Sequence, residues 1–122
     1  MILVDTSVWI QHFQNSDPRL VAALNDEDVL THPYVIGELA CSNLRNRNEI
    51  LDLLRQMPSA PVASDAEALG FIESRRLVGR GIGLIDVHIL ASTALSDSAT
   101  LWTHDKRLDA IAGSLRLALR HG

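Results

Sequence analysis

The sequence contains a single cysteine, Cys41, among 122 residues. One cysteine excludes an internal disulfide and any zinc site built from several thiolates, so the reducing cytoplasm is the expected location. No apolar run approaches the roughly 20 residues that a membrane-spanning helix needs. The segment Met1 to Asp5 also lacks the basic start of an export signal. These absences predict a cytoplasmic protein with no membrane partner.

Aromatic residues and lysine are also scarce. Aromatics make up 4% of the chain, so base stacking is not expected to dominate any nucleic-acid recognition. Lys106 is the single lysine, and the other basic residues are arginines, whose planar guanidinium suits phosphate. The formal net charge of −4 argues against non-specific coating of nucleic acid. A hydrophobic content of 47% and this length predict one globular domain, residues 1–122.

Short apolar runs alternate with helical patterns along the chain. The predicted strands are 1–5, 29–31, 99–103 and 115–119, and the predicted helices are 8–13, 19–24, 33–44, 49–57, 64–78, 86–95 and 106–112. This alternation is typical of an α/β fold. We expect a three-layer sandwich with a mostly parallel central sheet of four to five strands and helices on both faces.

Four acidic residues stand in or beside apolar runs, where an isolated ionised carboxylate is unfavourable. They are Asp5, Glu38, Asp86 and Asp105. Asp5 and Asp105 follow predicted strands, and the carboxyl ends of parallel strands meet at one edge of a sheet. Asp86 follows the glycine-rich loop 79–83, and Glu38 lies within a predicted helix. We expect all four side chains to line one cleft.

Each of these residues also has a simpler interpretation. Asp5, Asp86 and Asp105 are all candidates for a helix N-cap, because aspartate is among the best capping residues. Glu38 is a candidate for the solvent face of an amphipathic helix. Taken singly, these alternatives stay open, and the joint pattern is what favours a shared site.

Several carboxylates in one cleft would repel each other unless a cation neutralised them. Ligation by oxygen alone favours Mg²⁺, or Mn²⁺, over zinc, and such an ion can activate water for attack on a phosphate ester. Thr6, Ser7 and Thr103 are candidates to orient a carboxylate or a bound water by hydrogen bonds. The predicted chemistry is hydrolysis of a phosphate ester.

Four motifs resemble those of the PIN-domain ribonucleases and, more narrowly, the VapC toxins of bacterial toxin–antitoxin pairs. They are Val4–Val8, Gly37–Leu39, Gly81–Asp86 and Trp102–Leu108, in the order of the family and over essentially the whole chain. The resemblance implies a metal-dependent endoribonuclease that cleaves structured RNA, commonly transfer or ribosomal RNA. It also implies a homodimer that is silenced by a VapB-like antitoxin.

The same resemblance implies roles for the four acidic residues. It makes Asp5, Glu38, Asp86 and Asp105 the catalytic set, with Asp5, Asp86 and Asp105 as metal ligands. Positive charge is expected beside the cleft at Arg80, Lys106 and Arg107, where RNA phosphates can dock. A solvated surface is the simpler interpretation of those three residues.

Two further residues, Asp109 and His104, have open roles. Asp109 lies one helical turn after Asp105, as a fifth carboxylate or as part of a solvated helix face. The histidines show no paired metal-binding spacing, and only His104, beside Asp105, is a candidate for the site.

Other classes of function fit the sequence less well. An aspartyl-phosphate phosphatase would have a second aspartate where Ser7 stands, and the nearest candidate for a phosphoacceptor, Asp52, lies inside a predicted helix. The glycines at 81 and 83 follow a helix and lack the third glycine of a dinucleotide-binding loop. A PIN-fold RNA-processing nuclease outside a toxin–antitoxin pair and a non-catalytic interaction module remain as alternatives.

Overall fold

A computed structural model describes residues 1–121 and contains a parallel sheet of three short strands. The strands are β1 (Ile2–Val4), β2 (Val29–Leu30) and β3 (Thr100–Trp102), in the spatial order β2-β1-β3. Leu3 pairs with Leu30 on one side and with Leu101 on the other. These three leucines are almost fully buried, as expected for a sheet covered on both faces.

Seven helices connect and cover these strands in the part of the chain that is described. They are α1 (Thr6–Gln14), α2 (Pro18–Asn25), α3 (Pro33–Ala40), α4 (Arg47–Gln56), α5 (Asp65–Ser74), α6 (Leu84–Leu95) and α7 (Lys106–Ser114). Proline occupies the first position of α2 and α3, where its missing N–H is not needed. A capping box begins α5, in which Ser64 and Glu67 bond each other's backbone N–H. The predicted α/β class is confirmed.

The strand order sets the position of the site. The chain leaves the central strand β1 for β2 on one side and later reaches β3 on the other side. Right-handed crossovers in opposite directions place their helices on opposite faces of the sheet. The loops that follow β1 and β3 therefore diverge at the carboxyl edge and leave a crevice between them, where ligands bind in open parallel sheets.

The predicted count of four to five strands is wrong. Within the described residues 1–121, only single bridges extend the sheet, between Thr31 and Ser59 at one edge and between Leu101 and Ala118 at the other. Pro58 and Pro61 flank the first bridge and remove the backbone donors that a longer strand would need. At the second bridge, Arg116 has a φ of +60°. Because the backbone of Arg116 is left-handed, the chain becomes extended only after this residue, and the strand predicted over 115–119 is reduced to one bridge.

The helix α6 passes through the centre of the molecule. Its residues from Val87 to Thr93 are all buried, so this helix lies in the core. Within residues 1–121, no helix is both long enough and apolar enough to cross a membrane.

Candidate active site

Asp5 immediately follows β1 and is the most buried of the four predicted carboxylates, with 8% of its surface exposed. It occupies the N-cap position of α1, yet its carboxylate makes no capping bond. Instead, Oδ2 accepts hydrogen bonds from Thr103 Oγ1 at 2.7 Å and from Ser7 Oγ at 3.1 Å. The simpler interpretation of Asp5 as a cap is therefore wrong.

Thr103 connects the ends of the two strands. It follows β3, 98 positions after Asp5 in the chain, and is itself buried. While its hydroxyl donates to Asp5, its oxygen accepts the backbone N–H of Asp105 at 3.1 Å. Ser7 joins the same set, because its Oγ accepts the backbone N–H of His104 at 3.0 Å. The predicted supporting roles of Ser7 and Thr103 thus have a geometric basis.

Asp105 caps the next helix. Its Oδ1 accepts the backbone N–H of Leu108 at 3.0 Å, at the start of α7. The capping interpretation of Asp105 is correct, but it accounts for only one carboxylate oxygen. A cap and a site residue are compatible here, since the side chain leaves the carboxyl edge of β3.

Glu38 projects from α3 toward the same edge. Its Oε1 accepts a hydrogen bond of 2.7 Å from Thr6 Oγ1, and Thr6 is the neighbour of Asp5. Glu38 is exposed, as the alternative interpretation required, yet this bond ties it to the first turn of α1. The sequence alone could not have revealed this contact, since the two residues are 32 positions apart.

Asp86 lies in the first turn of α6, where its Oδ2 accepts the backbone N–H of Gly83 at 3.4 Å. Burial raises the pKa of Asp86 above its ordinary value, and the nearby negative charges of Asp5, Asp105 and Glu38 raise this pKa further. The hydrogen bond from Gly83 acts in the opposite direction. Asp86 therefore senses all three of the other carboxylates, as expected if the four residues line one cleft.

The four carboxylates share one arrangement. In each, one oxygen is oriented by a hydrogen bond, and the other oxygen has no hydrogen-bond partner among residues 1–121. Oriented acceptors with a spare oxygen are suitable ligands for a hard cation.

Within the described residues, no three acidic, histidine or cysteine side chains form a complete coordination group as placed. Mg²⁺ does not require one, because it is usually bound through one or two carboxylates and keeps several waters. The donor set therefore fits a hydrated hard cation.

Comparison with known proteins agrees with this geometry. The model of the family described as PIN domain matches residues 2–114. The chain belongs to the PIN-domain family. Within that family, two relatives named Ribonuclease VapC32, from two strains of Mycobacterium tuberculosis, are each 47% identical to it over 119 residues. The alignment covers 98% of this chain and 96% of each relative, so the predicted VapC type of PIN domain is confirmed.

Positive charge borders one side of the cleft of this PIN domain. Arg107, in the first turn of α7, extends over the glycine-rich loop, with Nη1 3.5 Å from the carbonyl oxygen of Gly81. Gly81 has a φ of +82°, and a Cβ there would lie 2.8 Å from Arg107 Nη1. Arg80 and Lys106 are exposed on the same two segments.

Three other candidates have side chains that contact residues outside the set of four carboxylates. Asp109 pairs with Arg120 at 3.0 Å, which favours the solvated-face interpretation. Asp52 is exposed within α4 and pairs with Arg55, so it does not follow a strand. His104 contributes its backbone N–H to Ser7, while its ring faces Trp102 with 6.4 Å between centroids.

Proposed function

We propose that this PIN domain is a Mg²⁺-dependent endoribonuclease, with Mn²⁺ as a possible substitute, that hydrolyses phosphodiester bonds in structured RNA. The catalytic residues are Asp5, Glu38, Asp86 and Asp105. One observation carries the proposal: all four carboxylates combine an oriented oxygen with a spare one around a single crevice. PIN-domain VapC nucleases generally use a divalent metal ion, which agrees with this donor chemistry.

Asp5, Asp86 and Asp105 form the ligand set in this proposal. A divalent ion bound there would polarise a phosphoryl oxygen and lower the pKa of a bound water. Thr103 and Ser7 fix the orientation of Asp5 through Oδ2, which leaves Oδ1 toward the cleft. A cation also counteracts the repulsion that raises the pKa of Asp86, so binding relieves an unfavourable charge cluster.

Glu38 is not a metal ligand in this proposal and acts as the general base for the attacking water. Its Oε1 is engaged by Thr6, so Oε2 is the oxygen that accepts a proton from the attacking water. The water oxygen bonds to phosphorus as its proton passes to Glu38, the bond from phosphorus to the leaving ribose oxygen breaks, and that oxygen takes up a proton from bulk solvent. Thr6 acts as the positioning residue for this base.

Arg80, Lys106 and Arg107 receive the phosphates that flank the scissile bond. All three are exposed at the rim formed by the glycine-rich loop and the start of α7. A basic rim beside an acidic cleft lets the RNA backbone approach in spite of the chain's net charge of −4. The cleft is also open, since Glu38 and Asp105 are both exposed, and an open cleft suits transfer or ribosomal RNA as the substrate.

The test is cleavage of purified transfer and ribosomal RNA in Mg²⁺ or Mn²⁺. Wild type should cleave and should stop when EDTA is added, while Asp5→Asn and Asp86→Asn should lose at least about 100-fold in rate. Asp109→Asn is the matched control, because this carboxylate is paired with Arg120 outside the cleft. Equal cleavage by wild type and both site variants, or none by metal-loaded wild type, would refute the proposal.

We propose further that the domain works as the toxin of a VapBC-type pair, as a homodimer and in complex with a VapB-like antitoxin. The VapC relatives support this assignment. Co-expression with a small neighbouring gene should give a stable complex that no longer cleaves RNA. If no neighbouring product binds or inhibits the enzyme, an RNA-processing nuclease outside a toxin–antitoxin pair is the better description.

A further inference from the structure

Helices α3 and α6, which carry Glu38 and Asp86, face each other across a groove of about 600 Å³. Glu38 and Ile85 both line this groove. Further along, the rings of Tyr34 and His88 meet edge to face, with an interplanar angle of 72° and 5.0 Å between centroids. The residue numbers rise on α3 as they fall on α6, so the two helices run antiparallel. Side chains, rather than close backbone packing, span the space between these helices.

His32 forms the last of these contacts. It is fully buried at the N-cap position of α3, and its Nδ1 accepts the backbone N–H of Tyr34 at 3.0 Å. Because Nδ1 accepts, the proton of the neutral ring must reside on Nε2. Nε2 lies 3.0 Å from Ser92 Oγ on α6 and therefore donates to it. Burial and the nearby His88 lower the pKa of His32 to about 4, so this ring stays neutral at working pH.

Ser92 is equally buried and belongs to the core of α6. Its Oγ also accepts the backbone N–H of Ala63 at 3.3 Å. The serine thus links α6 to the N-cap residue of α3 and to the segment before α5. Neither His32 nor Ser92 stands out in the sequence, since their contact joins residues 60 positions apart.

Both residues lie the same distance along their helices from the site. Six positions separate His32 from Glu38, and six separate Asp86 from Ser92. At about 1.5 Å per residue, each separation is about 9 Å of helix. Because each helix moves as a rigid body, a change in the distance between α3 and α6 at the His32–Ser92 contact also shifts Glu38 and Asp86.

We propose that His32 is a positioning residue, whose hydrogen bond to Ser92 holds α6 against α3 and thereby fixes the position of Asp86 in the metal site. The inference rests on the proposed function, because it assumes that Asp86 is a metal ligand. His32 touches neither metal nor RNA. His32 also caps α3, and the experiment must separate this role from the hydrogen bond to Ser92.

Two substitutions of His32 separate its role as the cap of α3 from its hydrogen bond to Ser92, the His32–Ser92 bridge. In His32→Asn the side-chain oxygen can replace Nδ1 as the cap, but it is too short to reach Ser92. In His32→Gln the amide nitrogen can replace Nε2 as the donor, but the cap is lost. Ser92→Ala removes the bridge from the other side. Thr93→Val is the matched control, because Thr93 is a buried neighbour whose hydroxyl bonds only within α6, to Ile89 O.

The measurement is the dissociation constant for Mn²⁺ alone, from the free-ion EPR signal, with the melting temperature of each variant recorded beside it. We expect His32→Asn and Ser92→Ala to bind Mn²⁺ about threefold to thirtyfold more weakly, with the double variant no weaker than either single one. His32→Gln should bind within about twofold of wild type despite a lower melting temperature. Thr93→Val should melt at a lower temperature than wild type and bind Mn²⁺ with wild-type affinity.

Three results would overturn the inference. If His32→Asn and Ser92→Ala bind Mn²⁺ as tightly as wild type, the His32–Ser92 bridge contributes to stability alone. Equal weakening in His32→Gln would assign the effect to the cap. No Mn²⁺ binding by wild type would overturn the proposed function as well, which distinguishes that failure from the first two.

Discussion

Replacement of Thr103 by valine removes one hydroxyl from the buried contact between the ends of β1 and β3. Valine has nearly the same shape, so the change leaves Asp5 Oδ2 without its 2.7 Å donor and the N–H of Asp105 without its acceptor. A hydrogen bond to a charged group contributes about 1.5–3 kcal/mol. Because Asp5 is only 8% exposed, water cannot replace this donor freely. We expect unfolding free energy to fall by that amount, and the melting temperature to fall by roughly 5–15 °C.

The same substitution should weaken metal binding. An Asp5 carboxylate that has lost its main orienting bond should bind Mn²⁺ about tenfold to hundredfold less tightly. Thermal and urea denaturation in EDTA measure the first effect, and Mn²⁺ titration measures the second. Thr103→Ser is the control, since it retains the hydroxyl and should bind the ion within about threefold of wild type. If Thr103→Val matches Thr103→Ser in both measurements, the proposed role of this hydroxyl is refuted.

Three further substitutions test separate features of the site. The raised pKa of Asp86 means that its ionised form opposes folding, and this cost appears as pH rises through the folded pKa. In EDTA, Asp86→Asn should therefore melt higher than wild type at pH 7 and show no such gain below its ordinary pKa of 3.8; a lower melting temperature at pH 7 would contradict this. Gly81→Ala should cost about 1–2 kcal/mol in urea denaturation and displace Arg107, weakening RNA binding, whereas an unchanged protein would contradict the close contact seen there. Asp109→Asn should lose at most about 1 kcal/mol with Arg120 unpaired and cleave RNA normally, and a large loss of cleavage would make Asp109 a fifth site carboxylate.

The sequence predicts those parts of the fold that local patterns determine. Proline at the start of α3 and the Ser64–Glu67 capping box mark helix starts, and the helices predicted from 33 and from 64 begin within one residue of those positions. Apolar residues dominate the predicted helix 86–95, and in the structure even its polar residues His88, Ser92 and Thr93 are buried. The edges of the sheet were missed, since the segment 115–119 alternates like a strand but Arg116 adopts a left-handed conformation that no local pattern announced.

The site could be predicted only as a set of residues. The rule that functional groups collect at the carboxyl edge of a parallel sheet was sufficient to group Asp5 with Asp105. The bonds that orient them were beyond the sequence, because Thr103 meets Asp5 across 98 positions and Thr6 meets Glu38 across 32. Such contacts depend on strand register and helix placement, which composition and periodicity do not encode.

The central claim is that Asp5, Asp86 and Asp105 hold a divalent ion in the cleft that they share with Glu38. Anomalous scattering from crystals grown with Mn²⁺ tests it most directly, because the ion is located without reference to activity. We expect one strong peak in the crevice at the carboxyl ends of β1 and β3, in contact with the spare oxygens of Asp5 and Asp86. A peak elsewhere, or none at saturating Mn²⁺, would contradict the account.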